Sequence, residues 1–353
     1  MSRWAVILAG GVGSRFWPLS TPRRPKQLLP LITDSPLLAD TVARLAALVP
    51  VEHTLVVTNA SLAAAVRALL PGLPPENVIA EPRAAGTAPA LAYAAATIAR
   101  RGDANDVMLC VHADWAIGND TEFRATLARA AALADREHSL VTVGIVPARP
   151  DPGFGYIEPG EPVGDEANEG ANDGARRVAR FAEKPNRETA AHMVASGYLW
   201  NSGIFVWRAG DFLAEVRARS PEVAPFLPLA ESGDIAAFFS SVTPISVDEG
   251  VLERSSHVLV IPGDFGWDDV GTWAALHRVR KRDVGGNAIF GDVHAVESSN
   301  NVVHADAGSV VLYGVSDLVV VTRDGLTLVT TKDRAAELKQ LLDALPPSVR
   351  ERS

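Results

Sequence analysis

The residues nearest the start of the chain already point to anion chemistry. The stretch WAVILAGGVGSRFWPLSTPRRPKQLLPL, Trp4 to Leu31, runs from an apolar segment into the turn Gly10-Gly11-Val12-Gly13, then to Arg15, and eleven residues later to Lys26. Glycines after a buried strand let backbone N–H groups approach a ligand closely, and such amides cradle anions. Three loop classes compete. A Walker A loop needs Gly-Lys-Ser/Thr at its end, which GGVGSRFW lacks. A dinucleotide loop needs a third glycine where Phe16 stands, so Asp34 further on carries little weight. The third class pairs the glycine turn with a delocalised cation, Arg15, and a compact one, Lys26, which suits a triphosphate tail. An ordinary strand–turn with surface cations remains the alternative at this level.

Such a loop must be held by a sheet, and the first 145 residues have the texture of one. β-rich runs at AVILA, TLVVT, NVIA, DVMLCV and LVTVGIV alternate with helix-like stretches such as TAPALAYAAATIARR and TEFRATLARAAALADR. Runs this apolar fit strands buried on both faces, and the alternation implies a mostly parallel α/β sheet with helices on both faces. Ser61, Thr87 and Thr121 are the expected N-caps. Glu158–Arg177, rich in Gly, Glu, Asp and Asn, reads as a mobile surface loop without function of its own. After about residue 281 the texture changes to short β-rich runs broken by Gly, Asn and Asp, a small β-domain of stacked strands or hairpins. A helix from Lys332 to about Leu345 closes the chain before Pro346-Pro347. The division is therefore a larger α/β domain over 1–281, and a β-domain over 282–353.

Bulk properties exclude several classes. The chain has 353 residues, 47% hydrophobic and 21% charged, with 33 Lys and Arg against 42 Asp and Glu, a net charge of −9. That balance argues against nucleic acid drawn in by global charge, though not against a phosphorylated small substrate. The one cysteine, Cys110, leaves no intramolecular disulfide and no cysteine zinc site. The opening apolar run is too short for a signal peptide, and no stretch reaches membrane-spanning length. The expectation is a cytoplasmic protein with no membrane partner.

The ordered motifs resemble the sugar-1-phosphate nucleotidyltransferases, and within them the mannose-1-phosphate guanylyltransferase branch. LAGGVGSRFWPLSTPRRPKQLLPL is similar to the family signature. VIAEPRAAGTAPALAYAA resembles the nucleobase segment, VMLCVHADWAI the strand ending in a metal-binding Asp, and GIVPARPDPGFGYIEPG the sugar loop. VARFAEKPNRETA, YLWNSGIFVW and FGWDDVGTW carry Glu-Lys-Pro, Asn-Ser-Gly-Ile-Phe and Asp-Val-Gly-x-Trp in the family's order. The resemblance implies a Rossmann-like nucleotidyltransferase fold with a small C-terminal domain like a short left-handed β-helix. It also implies the reaction of GTP with mannose 1-phosphate to give GDP-mannose and pyrophosphate.

Site roles follow from the resemblance. Arg15 and Lys26 would hold the triphosphate and the departing pyrophosphate, with Arg23 and Arg24 less involved. Asp114 and Asp269 would hold one Mg²⁺, which prefers one or two carboxylates plus phosphate oxygens. Asp268 is the rival at the second position and is expected behind it. Leu8, Ala9, Gly10, Gly11, Gly13, Ser14, Glu81, Thr87 and Ala88 would contact the nucleotide. Lys184 would meet the sugar phosphate, and Glu183 and Asn201 the sugar hydroxyls. Gly155 would let backbone approach the sugar, and Tyr156 either stacks on it or is core. Trp17, Trp200, Trp207, Trp267 and Trp273 are expected to pack the motif loops, and His112 and Trp115 merely to flank Asp114.

The match departs in two places. The branch's Glu-Pro-x-Gly-Arg-Asn-Thr-Ala-Pro-Ala reads here Glu81-Pro82-Arg83-Ala84-Ala85-Gly86-Thr87-Ala88-Pro89-Ala90, so an Arg and an Asn are lost, with Arg83 the candidate substitute cation. Pro-x-Asp-His reads His112-Ala113-Asp114-Trp115. These changes leave open another sugar 1-phosphate or nucleotide, or a weakly catalytic sensor of nucleotide-sugar. The fused isomerase domain of longer relatives is not expected, and the β-domain is expected to pack on the catalytic domain or form a homodimer.

Overall fold

The computed structural model of the protein describes residues 1–11, 15–163 and 174–350. The chain divides into two compact units. One comprises Met1–Gly10, Val42–Ala113 and Asn119–Gly266, the other Gly11–Thr41, Asp114–Gly118 and Trp267–Ser353.

The first unit is built on nine strands: β1 Arg3–Leu8, β2 Thr54–Asn59, β3 Val78–Glu81, β4 Val107–His112, β5 Leu140–Ile145, β6 Tyr156–Pro162, β7 Arg176–Ala182, β8 Leu199–Arg208 and β9 Val258–Gly263. Their order is β3-β2-β1-β4-β8-β5-β9-β7-β6. β3, β2, β1 and β4 are parallel, as the alternating apolar runs predict. β8 runs antiparallel to both β4 and β5, and β6 and β7 form an antiparallel pair, so the far half of the sheet is mixed. Register brings the carboxyl ends of the parallel strands together. Leu8 lies opposite His112, and Asn59 opposite Glu81. Ligands of open α/β sheets bind at that end.

The buried helix Thr87–Arg101 shows why alanine dominates its sequence. Ala88, Ala90, Ala92, Ala94, Ala95 and Ala96 are all buried, and a helix apolar all round belongs in a core. Aromatic stacking of Phe205 on Trp207 and Trp207 on Phe212, with centroids 5.4 and 4.5 Å apart, anchors β8 to the next helix.

Three local expectations are corrected. The N-caps are Leu62, Gly86 and Asn119 rather than Ser61, Thr87 and Thr121. Asn119 accepts from Glu122 N and starts its helix before Thr121; Ser61 instead donates to Asn59 in a local turn. The expected loop over 158–177 is narrower, because Glu158–Pro162 belongs to β6 and Arg176–Arg177 to β7. Residues 164–173 lie outside the described residues. An edge hairpin with little burial carries polar residues on both strands, which is how composition hid it. The closing helix from Lys332 is a 3₁₀ turn Arg334–Glu337 followed by the α-helix Leu338–Ala344, and a further short helix starts at Pro347.

The second unit carries a four-stranded sheet of β10 Ala288–Val296, β11 Val302–Tyr313, β12 Leu318–Arg323 and β13 Leu326–Thr331. β10, β11 and β12 are parallel though their connections are short, so the chain coils rather than folds back. β12 and β13 form a hairpin. Buried asparagines hold successive coils. Asn301 Nδ2 donates to Asn287 Oδ1 at 2.9 Å, and Leu318 N donates to Asn301 Oδ1 at 2.9 Å. Phe16, Trp17, Leu19, Leu29 and Leu31 pack with Val270, Trp273, Leu276, Val302 and Val319 in one core. This core fixes the loop that bears Lys26.

Candidate active site

Three of the residues singled out by sequence come together around one ammonium group. Lys26 Nζ lies 3.0 Å from Asp114 Oδ2 and donates to the carbonyl oxygens of Asp269 at 3.0 Å and Val270 at 3.2 Å. Its side chain is 15% exposed. The 3₁₀ turn Lys26–Leu28 presents it, and Gln27 Nε2 ties that turn to Gly11 O at 2.9 Å. Asp114 stands two residues past the end of β4. Asp269 is largely buried, and its pKa is raised, first by desolvation and further by Asp268 and Asp114, while Lys26 opposes the shift.

The turn carrying Asp269 is stiffened from both sides. Asp268 Oδ1 accepts from Val270 N at 3.0 Å, and Asp269 Oδ1 from Gly271 N at 3.1 Å. Val270 sits at φ +48°, a strained position for a β-branched residue. Arg278 grips Asp268 Oδ2 through Nε at 3.0 Å and Nη2 at 2.8 Å. Asp268 is thus occupied in holding the turn. Trp115 and Trp267 pack edge-on at 5.9 Å beside it.

This donor set fits a hard cation. The Asp114 carboxylate and two backbone carbonyls face one positive head, with the Asp269 carboxylate close enough to feel its charge. Mg²⁺ takes oxygen ligands of this kind. Among the described residues no group of three or more His, Cys, Asp or Glu side chains could hold a metal. A metal here would therefore draw its remaining ligands from phosphate and water.

A second cluster gathers the sugar-loop residues in the first unit. Asn201 N donates to Gly155 O at 2.8 Å. A Cβ on Gly155 would stand 2.9 Å from Glu183 Oε2, the end of a flexible side chain, and 3.4 Å from Asn201 Cβ, so the glycine lies close against this pair. Lys184 pairs with Glu183 and is 66% exposed. Sequence reasoning missed one member. Asp248, on the short helix Val247–Gly250, accepts from Asn201 Nδ2 at 2.8 Å, and burial raises its pKa. Its local sequence, SVDEGVLER, carries no glycine turn or paired motif that would have flagged it.

Glu81 ends β3 with its carboxylate buried. The residue is 8% exposed, Oε1 has no hydrogen-bond partner among the described residues, and desolvation alone pushes its pKa up to about 7. A Cβ built on Gly10 would stand 3.4 Å from Oε2, so the group lies beside the glycine turn. The altered segment after it pairs with residues 245–247: Ile245 N donates to Ala85 O at 3.0 Å, Ala88 N to Ile245 O at 3.3 Å, and Val247 N to Thr87 Oγ1 at 2.8 Å. Gly86 adopts φ +86°, and a Cβ there would meet Ile245 O at 2.2 Å. Gly86→Ala should therefore destabilise the fold by about 2–4 kcal/mol, read as a lowered midpoint in urea unfolding with an unchanged m value. An unchanged midpoint would mean that this segment pairs differently.

Other expected site residues fall elsewhere. Gly13 and Ser14 lie outside the described residues. Arg15 is exposed and makes no ion pair among the described residues. The peptide groups of Leu8 and Ala9 serve the sheet: Leu8 O accepts from Ala113 N, Ala9 N donates to Val57 O, and Ala9 O accepts from Thr58 Oγ1. Tyr156 is core. It is fully buried, and its hydroxyl exchanges hydrogen bonds with the Asp151 backbone, so it is withdrawn from any stacking role. Arg83 donates to Val242 O at 2.5 Å and Ser240 O at 3.4 Å, which commits it to the carbonyl end of the helix Ile235–Ser241 and not to a phosphate. Trp17, Trp200, Trp207, Trp267 and Trp273 are buried packing residues.

Comparison with known proteins places the chain in a family. The pattern of the Nucleotidyl transferase family matches residues 4–284, and that of the MannoseP isomerase/GMP-like beta-helix domain matches residues 291–345. The chain is 38% identical over 357 residues to a mannose-1-phosphate guanylyltransferase of Salmonella typhimurium, covering 97% of this chain and 73% of that protein. It is also 38% identical over 356 residues to a mannose-1-phosphate guanylyltransferase of Escherichia coli, with the same coverage. A solved structure from Thermus thermophilus, described as a mannose-1-phosphate geranyltransferase, superposes with a TM-score of 0.88 at 33% identity over 98% of this chain and 99% of the other. A nucleotidyltransferase domain followed by a β-helix-like domain, with sequence kinship along nearly the whole length, makes this chain an enzyme of the nucleotidyl transferase family, in the branch of the mannose-1-phosphate guanylyltransferases.

Proposed function

We propose that the protein transfers a guanylyl group from GTP to mannose 1-phosphate, giving GDP-mannose and pyrophosphate, with residues 1–281 carrying the reaction and 282–353 forming the β-domain. The observation that carries this reading is the Lys26 cluster, a cation gripped by Asp114 and the backbone of Asp269 and Val270. A phosphate oxygen of the sugar phosphate attacks the α-phosphorus, and the bond to the bridging α–β oxygen breaks as pyrophosphate leaves. The nucleophile is already ionised at neutral pH, so the enzyme's work is alignment and charge neutralisation. Asp114 and Asp269 would hold Mg²⁺, which when bound would neutralise charge on the phosphates. Lys26 and Arg15 offset charge on the triphosphate, and Lys184 does so on the sugar phosphate. Gly10 and Gly11 would offer backbone amides to the phosphates, and Thr87 and Ala88 would contact the nucleotide; Gly13 and Ser14, assigned to the same loop from sequence, lie outside the described residues. Asn201 and Glu183 meet the sugar hydroxyls.

Glu81 supplies the base preference. Guanine presents N1–H and the N2 amino group side by side, and an ionised carboxylate accepts from both. The buried Glu81 oxygen, without a partner among the described residues, is the acceptor that such a base would satisfy. Because its pKa in the free protein is about 7, guanine must bind the minority form at lower pH. The apparent Kd for GTP should rise about fivefold between pH 7 and pH 6. Stability should move the other way. The folded pKa lies above the unfolded value of 4.5, so this group's contribution to stability is fully present below 4.5 and is lost as pH rises through 7, by roughly 3 kcal/mol at most. Glu81→Gln should flatten both profiles and weaken GTP binding. Parallel profiles for wild type and variant would remove Glu81 from base reading.

The reaction itself is tested by pyrophosphate release with mannose 1-phosphate and Mg²⁺, comparing GTP with ATP, UTP, CTP and dTTP, with Asp114→Asn as control. Fast release with GTP alone, lost in the control, is expected. Faster release with another nucleotide would overturn the guanylyl assignment.

A further inference from the structure

We infer that Asp248 is a specificity-determining residue that accepts a hydrogen bond from a hydroxyl of the sugar ring beside Asn201; this rests on the function proposed above. The short helix that carries it is held on two sides. Behind it, the Ala85–Ala88 segment binds Ile245 and Val247 through three hydrogen bonds, one of them to Thr87 Oγ1. In front, Asn201 Nδ2 donates to Asp248 Oδ1 at 2.8 Å, while Gly203 N donates to Asn201 Oδ1 at 3.3 Å. The Asn201 amide is thereby fixed in orientation, with Nδ2 beside the carboxylate. Its second N–H stays available for a ligand.

The electrostatics say what class of group belongs there. Glu183 and Asp248 are close enough to repel each other, and Glu253 also feels both. His112 is the counter-charge acting on Asp248. A partly buried carboxylate accepts up to about four hydrogen bonds. Asn201 and the Asp248 backbone N–H account for two. Two neighbouring carboxylates repel a phosphate and favour hydroxyl donors. The arrangement therefore suits the uncharged, polyhydroxylated part of a sugar 1-phosphate, with an N–H from Asn201 and an oxygen of Asp248 read by adjacent hydroxyls.

The test uses the full chain and steady-state pyrophosphate release with GTP, Mg²⁺ and a panel of hexose 1-phosphates, including mono-deoxy forms of mannose 1-phosphate. Asp248→Asn keeps the shape and loses the charge; Asp248→Ala and a melting curve for each control for folding. The expected result is a KM for mannose 1-phosphate raised at least tenfold in Asp248→Asn, with KM for GTP within twofold. One deoxy sugar should lose as much with wild type as mannose 1-phosphate loses with the variant, and the two losses should not add. Additive losses with every deoxy sugar, or an unchanged KM for the sugar phosphate, would overturn the role of Asp248. If wild type prefers another hexose 1-phosphate, the mannose assignment falls, and the same KM comparison on that sugar decides Asp248. If wild type releases pyrophosphate with none of the panel, both proposals fall.

Discussion

Asp269→Asn should lower kcat by about three orders of magnitude while leaving the fold intact. The substitution preserves size and keeps an Oδ1 acceptor for the Gly271 N–H, so the turn survives. It removes a charge that the fold holds at a cost, since burial and two neighbouring carboxylates raise the Asp269 pKa. The sign for stability follows. A carboxyl whose folded pKa is raised opposes folding once ionised, so at pH 7 the asparagine variant should melt no lower than wild type. Loss of one preorganised charge at developing phosphate charge typically costs 10²–10³ in rate or more. The Mg²⁺ concentration giving half-maximal rate should also rise at least tenfold, because one of two carboxylates is gone. Asp268→Asn is the contrast. It weakens the paired bonds from Arg278 and should lower the melting temperature, with a smaller effect on the Mg²⁺ midpoint. If the two variants behaved in reverse, Asp268 would be the ligand and Asp269 the brace.

That contrast also measures what could be read from sequence. The spelling Asp-Asp-Val-Gly offers two carboxylates, of which the family pattern favours Asp269; the turn adds their contacts, with Arg278 on Asp268 and Lys26 on the Asp269 carbonyl. The parallel half of the sheet was legible because β1, β2, β3 and β4 are buried on both faces and read as unbroken apolar runs. The mixed half was not. β6 and β7 lie at an edge where burial leaves no alternating pattern, and Pro159, Gly160 and Pro162 write turn signals into a strand. Asp248 and the unpartnered oxygen of Glu81 were illegible for another reason. Their meaning lies in contacts across more than forty residues of chain, Asn201 to Asp248, and in the absence of a partner among the described residues, neither of which a local motif encodes. Arg83 shows the converse: a cation near a phosphate motif looked available, but helix carbonyls had already claimed it.

Lys26→Met should reduce kcat by about three orders of magnitude, and Lys26→Arg should recover little of it. An ammonium carries three N–H donors that diverge from one point. Here they have three acceptors within 3.2 Å: the Asp114 carboxylate and the carbonyls of Asp269 and Val270. A guanidinium presents a flat fork on a longer stem and cannot meet that convergent set from the same backbone position. If net charge alone mattered, Lys26→Arg would keep most of the activity. If geometry matters, it should fall at least a hundredfold. Stability gives an independent reading. Removing the ammonium strands two backbone carbonyls at the strained Val270 turn, at about 1–3 kcal/mol for unmet polar groups, whereas Asp114, with its side chain 23% exposed, can recover water. Lys26→Met should therefore melt lower than wild type, in contrast to Asp269→Asn, which should not. Within the double variant Lys26→Met/Asp269→Asn the rate losses should fall well short of additive, because both act on the same phosphate charge. Full additivity would mean that the two groups serve separate steps, and the single cluster around Lys26 would no longer explain the reaction.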